Sequence, residues 1–366
     1  MHQPLTPRLP ALFLLTTLAL AGHALAVTER TGPAPGADTG DSAARQPAPE
    51  VLVFDGFESI IAWLESEQWW GEEVRDRQLT VPHVIITGIN PAWRVNAQKL
   101  PVQQKKELFY RLMLPLVMHA NGMVIELRAG LLRAREELGT EGALSPESLA
   151  LLKRLAILLP GIDAAQAADL SAQTPELADM IEGLIYRVDT VPAGLALGQA
   201  AYESGYGTSR FAVEGNSLFG QWTYKGDGIV PRQQRRHLGN HQIRAFDWPF
   251  DSVRGYFINL MSHPAYEDFR RLRAELRAAG KPLASLVLAD GLLRYSERGQ
   301  EYVDLLKGII RKNSLDSADS AVFRDEPLRF IVTVQSPEAA ATMAREIEQM
   351  RASGELWEIV ESMRLE

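Results

Sequence analysis

Hydrophobic positions along the chain recur mostly at helical spacing. Ile60, Ile61 and Leu64, with Trp63 and the Trp69-Trp70 pair beside them, mark one apolar helix face. Pro82, Gly88 and Pro91 then punctuate a short run, Val84-Ile85-Ile86. After Pro101 a second face passes through Leu108, Leu112 and Leu116, with a kink or break expected at Pro115, and a third continues through Val124, Leu127 and Leu131. Ser145-Pro146 opens a further helix with Pro in its first turn, and Pro160-Gly161 closes it. Near the end of the chain Leu328 to Val334 reads as a β run, and Ala339, Met343, Ile347 and Met350 follow at helical spacing.

These patterns predict a mainly α protein in several segments. Residues 1–26 have the form of a secretory signal: Arg8 precedes an apolar run from Ala11 to Ala21, and Ala24-Leu25-Ala26 supplies the small residues a signal peptidase needs. That run is well short of the ~20 apolar residues needed to span hydrocarbon. No later stretch reads as a span, so the expected location is exported, in the periplasm. Residues 27–50 are rich in Pro, Gly and small polar residues and predict a disordered linker. Residues 51–175 form a helical region with a structural or positioning role, and 176–312 hold the chemistry. A second linker is expected over 313–327 and a small αβ module over 328–366.

Composition narrows the function. At 366 residues, the chain has length for about two domains of ~150 residues. A net charge of −8 makes the overall field repel nucleic acid, so no nucleic-acid partner is expected. The absence of cysteine excludes thiolate nucleophiles, disulfides and Cys-ligated metals. Catalysis must use oxygen and nitrogen side chains, and neither cofactor nor metal is expected.

Val191 to Gly207 (VPAGLALGQAAYESGYG) is the most informative stretch. Asp189 or Thr190 can cap a helix there, Pro192 suits its first turn, and Gly205 and Gly207 stop it. Leu195, Ala196, Gln199 and Glu203 share one face. A carboxyl at the C-terminal end of an apolar stripe meets partial burial and the negative end of the helix dipole, both of which raise its pKa. A proton donor to a glycosidic oxygen needs that environment. A Glu bonded to backbone or to Arg210 is the structural alternative.

Glu203-Ser-Gly-Tyr-Gly-Thr-Ser209 is followed by Asn216-Ser-Leu-Phe-Gly-Gln-Trp222, Gln242 to Phe246, Asp251-Ser-Val-Arg-Gly-Tyr256, and Arg294-Tyr-Ser-Glu-Arg-Gly299 with Tyr302. In that order these motifs resemble the catalytic domain of bacterial glucosaminidases of the peptidoglycan-hydrolase type, related to the flagellar-rod hydrolases. The Gly-Gln-Trp turn, the Ile-Val-Pro-Arg segment and the preceding helical region look most similar to the Bax-like subfamily. The resemblance implies a lysozyme-like fold with a small β-hairpin, cleavage of glycan strands next to N-acetylglucosamine, and peptidoglycan as partner. It maps the catalytic acid onto Glu203 and a groove wall onto Tyr295. Asn216 and Phe219 map onto the turn beneath the helix, with Asn216 either satisfying backbone groups or binding substrate.

Many members of the family carry a second acid in the hairpin, which here spans Thr223 to Arg244 and contains no Glu. Asp227 is the candidate second catalytic acid, and Asp251, better suited to a helix cap, the weaker one. Retaining, inverting and substrate-assisted mechanisms all stay open. Tyr202, Tyr206, Phe211, Phe219, Trp222 and Tyr224 cluster in this region, with Tyr206 and Trp222 the candidates for stacking on sugar. The hairpin is locally basic, fitting either stem-peptide carboxylates or a solvated loop. Gly239-Asn240 between His237 and His241 argues against a helical metal pair. The rival readings are a lytic transglycosylase and a non-catalytic wall-binding protein.

Overall fold

The computed structural model describes residues 49–71, 79–159, 164–171, 176–224, 228–232, 241–354 and 356. The expected signal, most of the first linker, Asp227 and His237 lie outside these. The described chain is mainly α. It begins with β1 (Glu50–Phe54), α1 (Phe57–Ser66), β2 (Thr80–Val81), β3 (Val84–Ile86), α2 (Pro91–Lys99), α3 (Val102–Glu141), α4 (Pro146–Leu158), α5 (Ala164–Asp169) and α6 (Leu177–Arg187). The central part holds α7 (Ala193–Ser204), α8 (Arg210–Gly215), β4 (Trp222–Thr223), β5 (Gly228–Ile229), β6 (Gln242–Arg244), α9 (Pro249–Ser262), α10 (Glu267–Ala278), α11 (Ser285–Leu288) and α12 (Gln300–Lys312). It closes with β7 (Val322–Phe323), β8 (Arg329–Thr333) and α13 (Pro337–Ser353).

Helix α3 is the spine, packing against α4, α6, α7, α9 and β3. It runs unbroken through Pro115, where a kink or break was expected. Proline has no N–H to donate to the carbonyl four residues back, which would leave the Arg111 carbonyl without its usual partner. The buried Trp69 indole N–H donates to that carbonyl at 3.3 Å, so a tertiary contact replaces the missing helical bond. α3 also corrects the expectation that no later stretch could span a membrane. By length and composition it could, but its apolar window is mostly buried within the fold.

The first and last strands of the described chain meet in one sheet. β8 lies between β1 and β3 and is parallel to both, with Glu50 and Val84 each opposite Arg329. Phe330, Ile331 and Val332 are buried, as expected for a strand with a neighbour on each side. The C-terminal αβ pattern is therefore correct as to elements, but its strand is the centre of a sheet with the N-terminal segment, not part of a separate module.

The segment 313–327 departs further from a linker. Residues Leu315–Ser320 form a 3-10 turn packed on α7, and β7 pairs with β2. Its acidic and small residues read as solvated spacer, yet they face backbone donors. The Asp319 carboxylate accepts from the Gly194 N–H at 2.9 Å and from the Ser285 N–H at 2.7 Å. The residue before α7, Pro192, offers no side-chain cap, so Asp319 caps the helix from a distance, in place of the expected Asp189 or Thr190. Asp189 instead pairs with Arg277, at 2.8 and 3.0 Å.

The approach is close enough to require glycine. A Cβ on Gly194 would lie 2.2 Å from the Leu315 carbonyl oxygen, whereas one on Gly183 in α6 would meet nothing within 4 Å. Gly194→Ala is therefore expected to cost on the order of 3 kcal/mol by pushing the turn off the helix. Gly183→Ala is expected to stabilise by about 0.5–1 kcal/mol through helix propensity. Urea unfolding of both variants checks the contrast.

Candidate functional site

The Glu203–Gly207 motif is a helix end in which each residue has a task. The Ser204 hydroxyl donates to the Ala200 carbonyl and accepts from the Gly207 N–H at 2.9 Å. Gly205, Tyr206 and Gly207 then take successive left-handed conformations, with φ of 57°, 58° and 75°. Gly207 is also fixed by space, since a Cβ there would lie 2.7 Å from Trp93 Nε1. That indole nitrogen donates to the Tyr206 carbonyl at 3.1 Å, and Arg94 Nε donates to the Thr208 carbonyl at 2.9 Å. The N-terminal region thus clamps the turn that ends the candidate catalytic helix.

Asn216 is a second clamp. It ends α8 in a left-handed conformation, φ 49°. Its Oδ1 accepts from the Ile89 N–H at 2.8 Å, and its Nδ2 donates to the carbonyls of Phe246 and Asp247 at 3.1 and 2.8 Å. The amide is spent on three backbone groups of two segments. Of the two roles expected for Asn216, the geometry favours the positioning one.

Glu203 occupies the last turn of α7 and is partly buried. Burial raises its pKa to about 6, while a hydrogen bond from the Tyr302 hydroxyl to Oε1, at 3.2 Å, acts in the lowering direction. Among the described residues no cation or second carboxylate moves it. Arg210 is engaged elsewhere, donating to Glu214 at 3.0 Å. The sequence-level alternative of a Glu203–Arg210 pair is therefore not what forms.

The surroundings of Glu203 are aromatic. Tyr295 stacks on Tyr302 at 5.4 Å and donates its hydroxyl to the Phe219 carbonyl at 3.2 Å, so it lies beside the acid. Tyr202 meets Tyr302 edge-on and accepts a hydrogen bond from Arg298 at 2.8 Å. Trp222 is 48% exposed on β4, with its inner face stacked on the buried His241 at 4.3 Å. Among the described residues no other ring stacks on it. Tyr206 is directed differently, with its ring packed edge-on against Phe109 and Tyr110 of α3. Asp251 pairs with Arg254 at 2.9 Å in the first turn of α9. Asp227 lies outside the described residues.

Sequence reasoning named Gln199, Tyr256 and Tyr302 as pattern members and gave them no chemical role. The structure joins them to Glu203 in one hydrogen-bonded chain. The available signal was Gln199, a buried amide four residues before the acid on an otherwise apolar face, which must find partners. Tyr266, whose hydroxyl also senses the Glu203 charge, was missed, because nothing local in its sequence marks it.

Residues 185–315 match the family model described as mannosyl-glycoprotein endo-beta-N-acetylglucosaminidase, so this part of the chain is similar to glucosaminidase domains. The chain is also 34% identical over 131 residues to Protein bax of Escherichia coli (strain K12), covering 36% of this chain and 46% of that protein. The match thus spans about half the length of that relative. No solved structure matches the chain.

The raised pKa of Glu203 makes stability depend on pH with a definite sign. Its contribution is complete below the ordinary value of 4.5 and is lost as pH rises through about 6, where the buried carboxyl must ionise. The difference corresponds to about 2 kcal/mol. Glu203→Gln is expected to match wild type in urea unfolding near pH 4 and to exceed it by roughly 2 kcal/mol near pH 8. Equal stability of the two proteins at both pH values would refute the assignment.

Proposed function

We propose that the chain is an exported peptidoglycan hydrolase that cleaves glycan strands at N-acetylglucosamine, with Glu203 as general acid in a lysozyme-like groove. The observation that carries this reading is the carboxyl at the end of a buried helix, with a pKa pushed up to about 6 and, among the described residues, no cation to hold it ionised. Such an acid keeps its proton at mildly acidic pH and can deliver it to the leaving glycosidic oxygen. The glucosaminidase-type domain supports a glycan as substrate. The exposed face of Trp222 and the ring of Tyr295 offer apolar walls for sugar C–H faces. The N-terminal Arg8 and the apolar run after it support export.

The second group of the reaction is open to two solutions. Asp227 on the hairpin is the candidate carboxylate, either activating water or attacking the sugar. The isolation of Glu203 from other described carboxylates favours a second reading, in which one acid suffices and the substrate completes the reaction itself. A lytic transglycosylase, releasing anhydro-muramyl ends, is one such case.

Zymography on cell-wall material should show clearing by wild type and at least a hundredfold loss with Glu203→Gln, about the contribution of a general acid. Activity should decline as pH rises through about 6. Mass spectrometry of the digest should reveal reducing N-acetylglucosamine ends. Anhydro-muramyl ends would move the assignment to the transglycosylase reading. Equal clearing by wild type and variant, or clearing by neither, would overturn the catalytic role of Glu203.

A further inference from the structure

Three polar side chains lie in the otherwise apolar interior under Glu203. Gln199 and Tyr256 have no measurable exposure and Tyr302 only 1%. Groups so buried must find hydrogen bonds, and the geometry gives one consistent order of donors and acceptors through the three. The Tyr256 hydroxyl donates to Gln199 Oε1. Gln199 Nε2 donates to the Tyr302 hydroxyl at 3.0 Å. Tyr302, already accepting, has its single proton left for Glu203 Oε1 at 3.2 Å.

Turning the Gln199 amide over would break this order. Its Nε2 would then face Tyr256, whose proton has no other acceptor among the described residues. Tyr302 would direct its proton at Gln199 and withdraw it from Glu203. Both tyrosine rings are also held from turning. Tyr256 stacks on Phe219 at 4.0 Å with the rings 6° apart, and Tyr302 stacks on Tyr295 with the rings 10° apart.

We propose that Tyr256, Gln199 and Tyr302 form a one-way hydrogen-bond relay that fixes Tyr302 as a donor to Oε1 of Glu203 and so confines the acid's transferable proton to Oε2. Oε2 has no hydrogen-bond partner among the described residues, so its proton is available to a ligand. In the transfer step the O–H bond at Oε2 breaks and one forms on the leaving oxygen. The negative charge left on the carboxylate is met by the Tyr302 hydroxyl already in place. The three are positioning residues, acting through Glu203 and not on substrate.

Among the described residues, the titratable groups facing Glu203 are hydroxyls. Tyr256 comes from α9, Tyr266 from the turn before α10, Tyr295 from the loop before α12, and Tyr302 from α12. Each has its pKa pushed up first by burial and further by the Glu203 charge. All four stay neutral across the range where Glu203 titrates. On the surface nearby, Arg298 is paired with Glu301. The relay therefore works by proton direction and not by a change of charge.

The inference rests on Glu203 as general acid for its catalytic meaning, but its physical content is measurable without activity. The experiment is a carbon-13 NMR titration of Glu203 in the full chain, the resonance being assigned as the one lost in Glu203→Gln. Tyr302→Phe is expected to weaken the acid roughly tenfold, moving its midpoint upward, because a donor to the charged form is gone. Tyr256→Phe, which frees Gln199 to turn over, is expected to move the midpoint in the same direction by roughly twofold to fivefold. Phe250→Leu, a buried change on α9 whose ring neighbour is His119 and not a relay residue, is expected to lower thermal stability and leave the midpoint in place.

Failure of both relay variants to move the midpoint, or an equal movement in Phe250→Leu, overturns the relay. Should Tyr302→Phe fail to fold, Tyr256→Phe alone decides. An upward shift in a protein that clears no wall material leaves the relay standing and removes the general-acid reading, so the two failures are distinguishable.

Discussion

Helix α7 is apolar around nearly its whole circumference, and residues 193–201 are all buried, so its first N–H groups are far from water and its last turn, with Tyr202 and Glu203, reaches solvent only in part. A helix leaves its first N–H and last carbonyl groups unpaired, and a buried helix cannot hand them to solvent. Much of the remaining structure answers that requirement. Asp319 reaches in from a 3-10 turn more than a hundred residues away to take the Gly194 N–H. At the other end Ser204, the left-handed run from Gly205 to Gly207 and the Trp93 indole close the last turn. Just before α7, the buried Arg273 donates to the Asp189 and Arg187 carbonyls at 2.7 and 2.6 Å. Burial alone would raise the Asp189 pKa, but its bond to Arg277 and the charges of Arg273 and Arg128 hold it low. The carboxylate stays ionised where the chain enters the helix.

This explains what the sequence discloses and what it conceals. Glu203 is legible because helical spacing is a local property: seventeen consecutive letters place it at the end of an apolar stripe. Asn216 is half legible, since its type suits a left-handed cap, while its partners at Ile89, Phe246 and Asp247 are set by the tertiary fold. Asp319 is not legible at all. SLDSADS has the polarity of solvated chain, and only the depth of α7 makes its aspartate a cap. Pro115 fails for the same reason in reverse: the local rule predicts a break, and Trp69, brought from outside the helix, supplies the missing donor.

The sheet teaches the same distinction. The β character of LRFIVTV is visible because it is a run of branched and aromatic residues. Its pairing with segments near residues 50 and 85 is not, since parallel neighbours can be separated by any length of chain. Reading the C-terminal elements as a separate appendage followed sequence order, whereas the molecule uses β8 to hold β1 and β3 together. Thr87 and Ile89, just past β3, then donate backbone N–H groups to Ile331 and to Asn216. Through these contacts the sheet is continuous with the turn beneath the candidate acid.

The environment of Glu203 follows from the choice of tyrosines as its neighbours. A lysine or arginine in the position of Tyr302 would satisfy Oε1 equally well, but its charge would favour the carboxylate and lower the pKa below the range in which a donor operates. An apolar residue there would leave Oε1 without a donor and raise the pKa further, making the acid a poor partner for the negative charge it must later carry. A neutral hydroxyl, itself supplied with a donor by Gln199, lies between these extremes. It offsets part of the desolvation without cancelling it, and the pKa of about 6 is the balance of those two opposing effects. The buried polar chain under α7 is thus the counterpart of the caps at its ends: the caps permit the helix to be buried, and the hydroxyls keep the carboxyl at its end usable in spite of that burial.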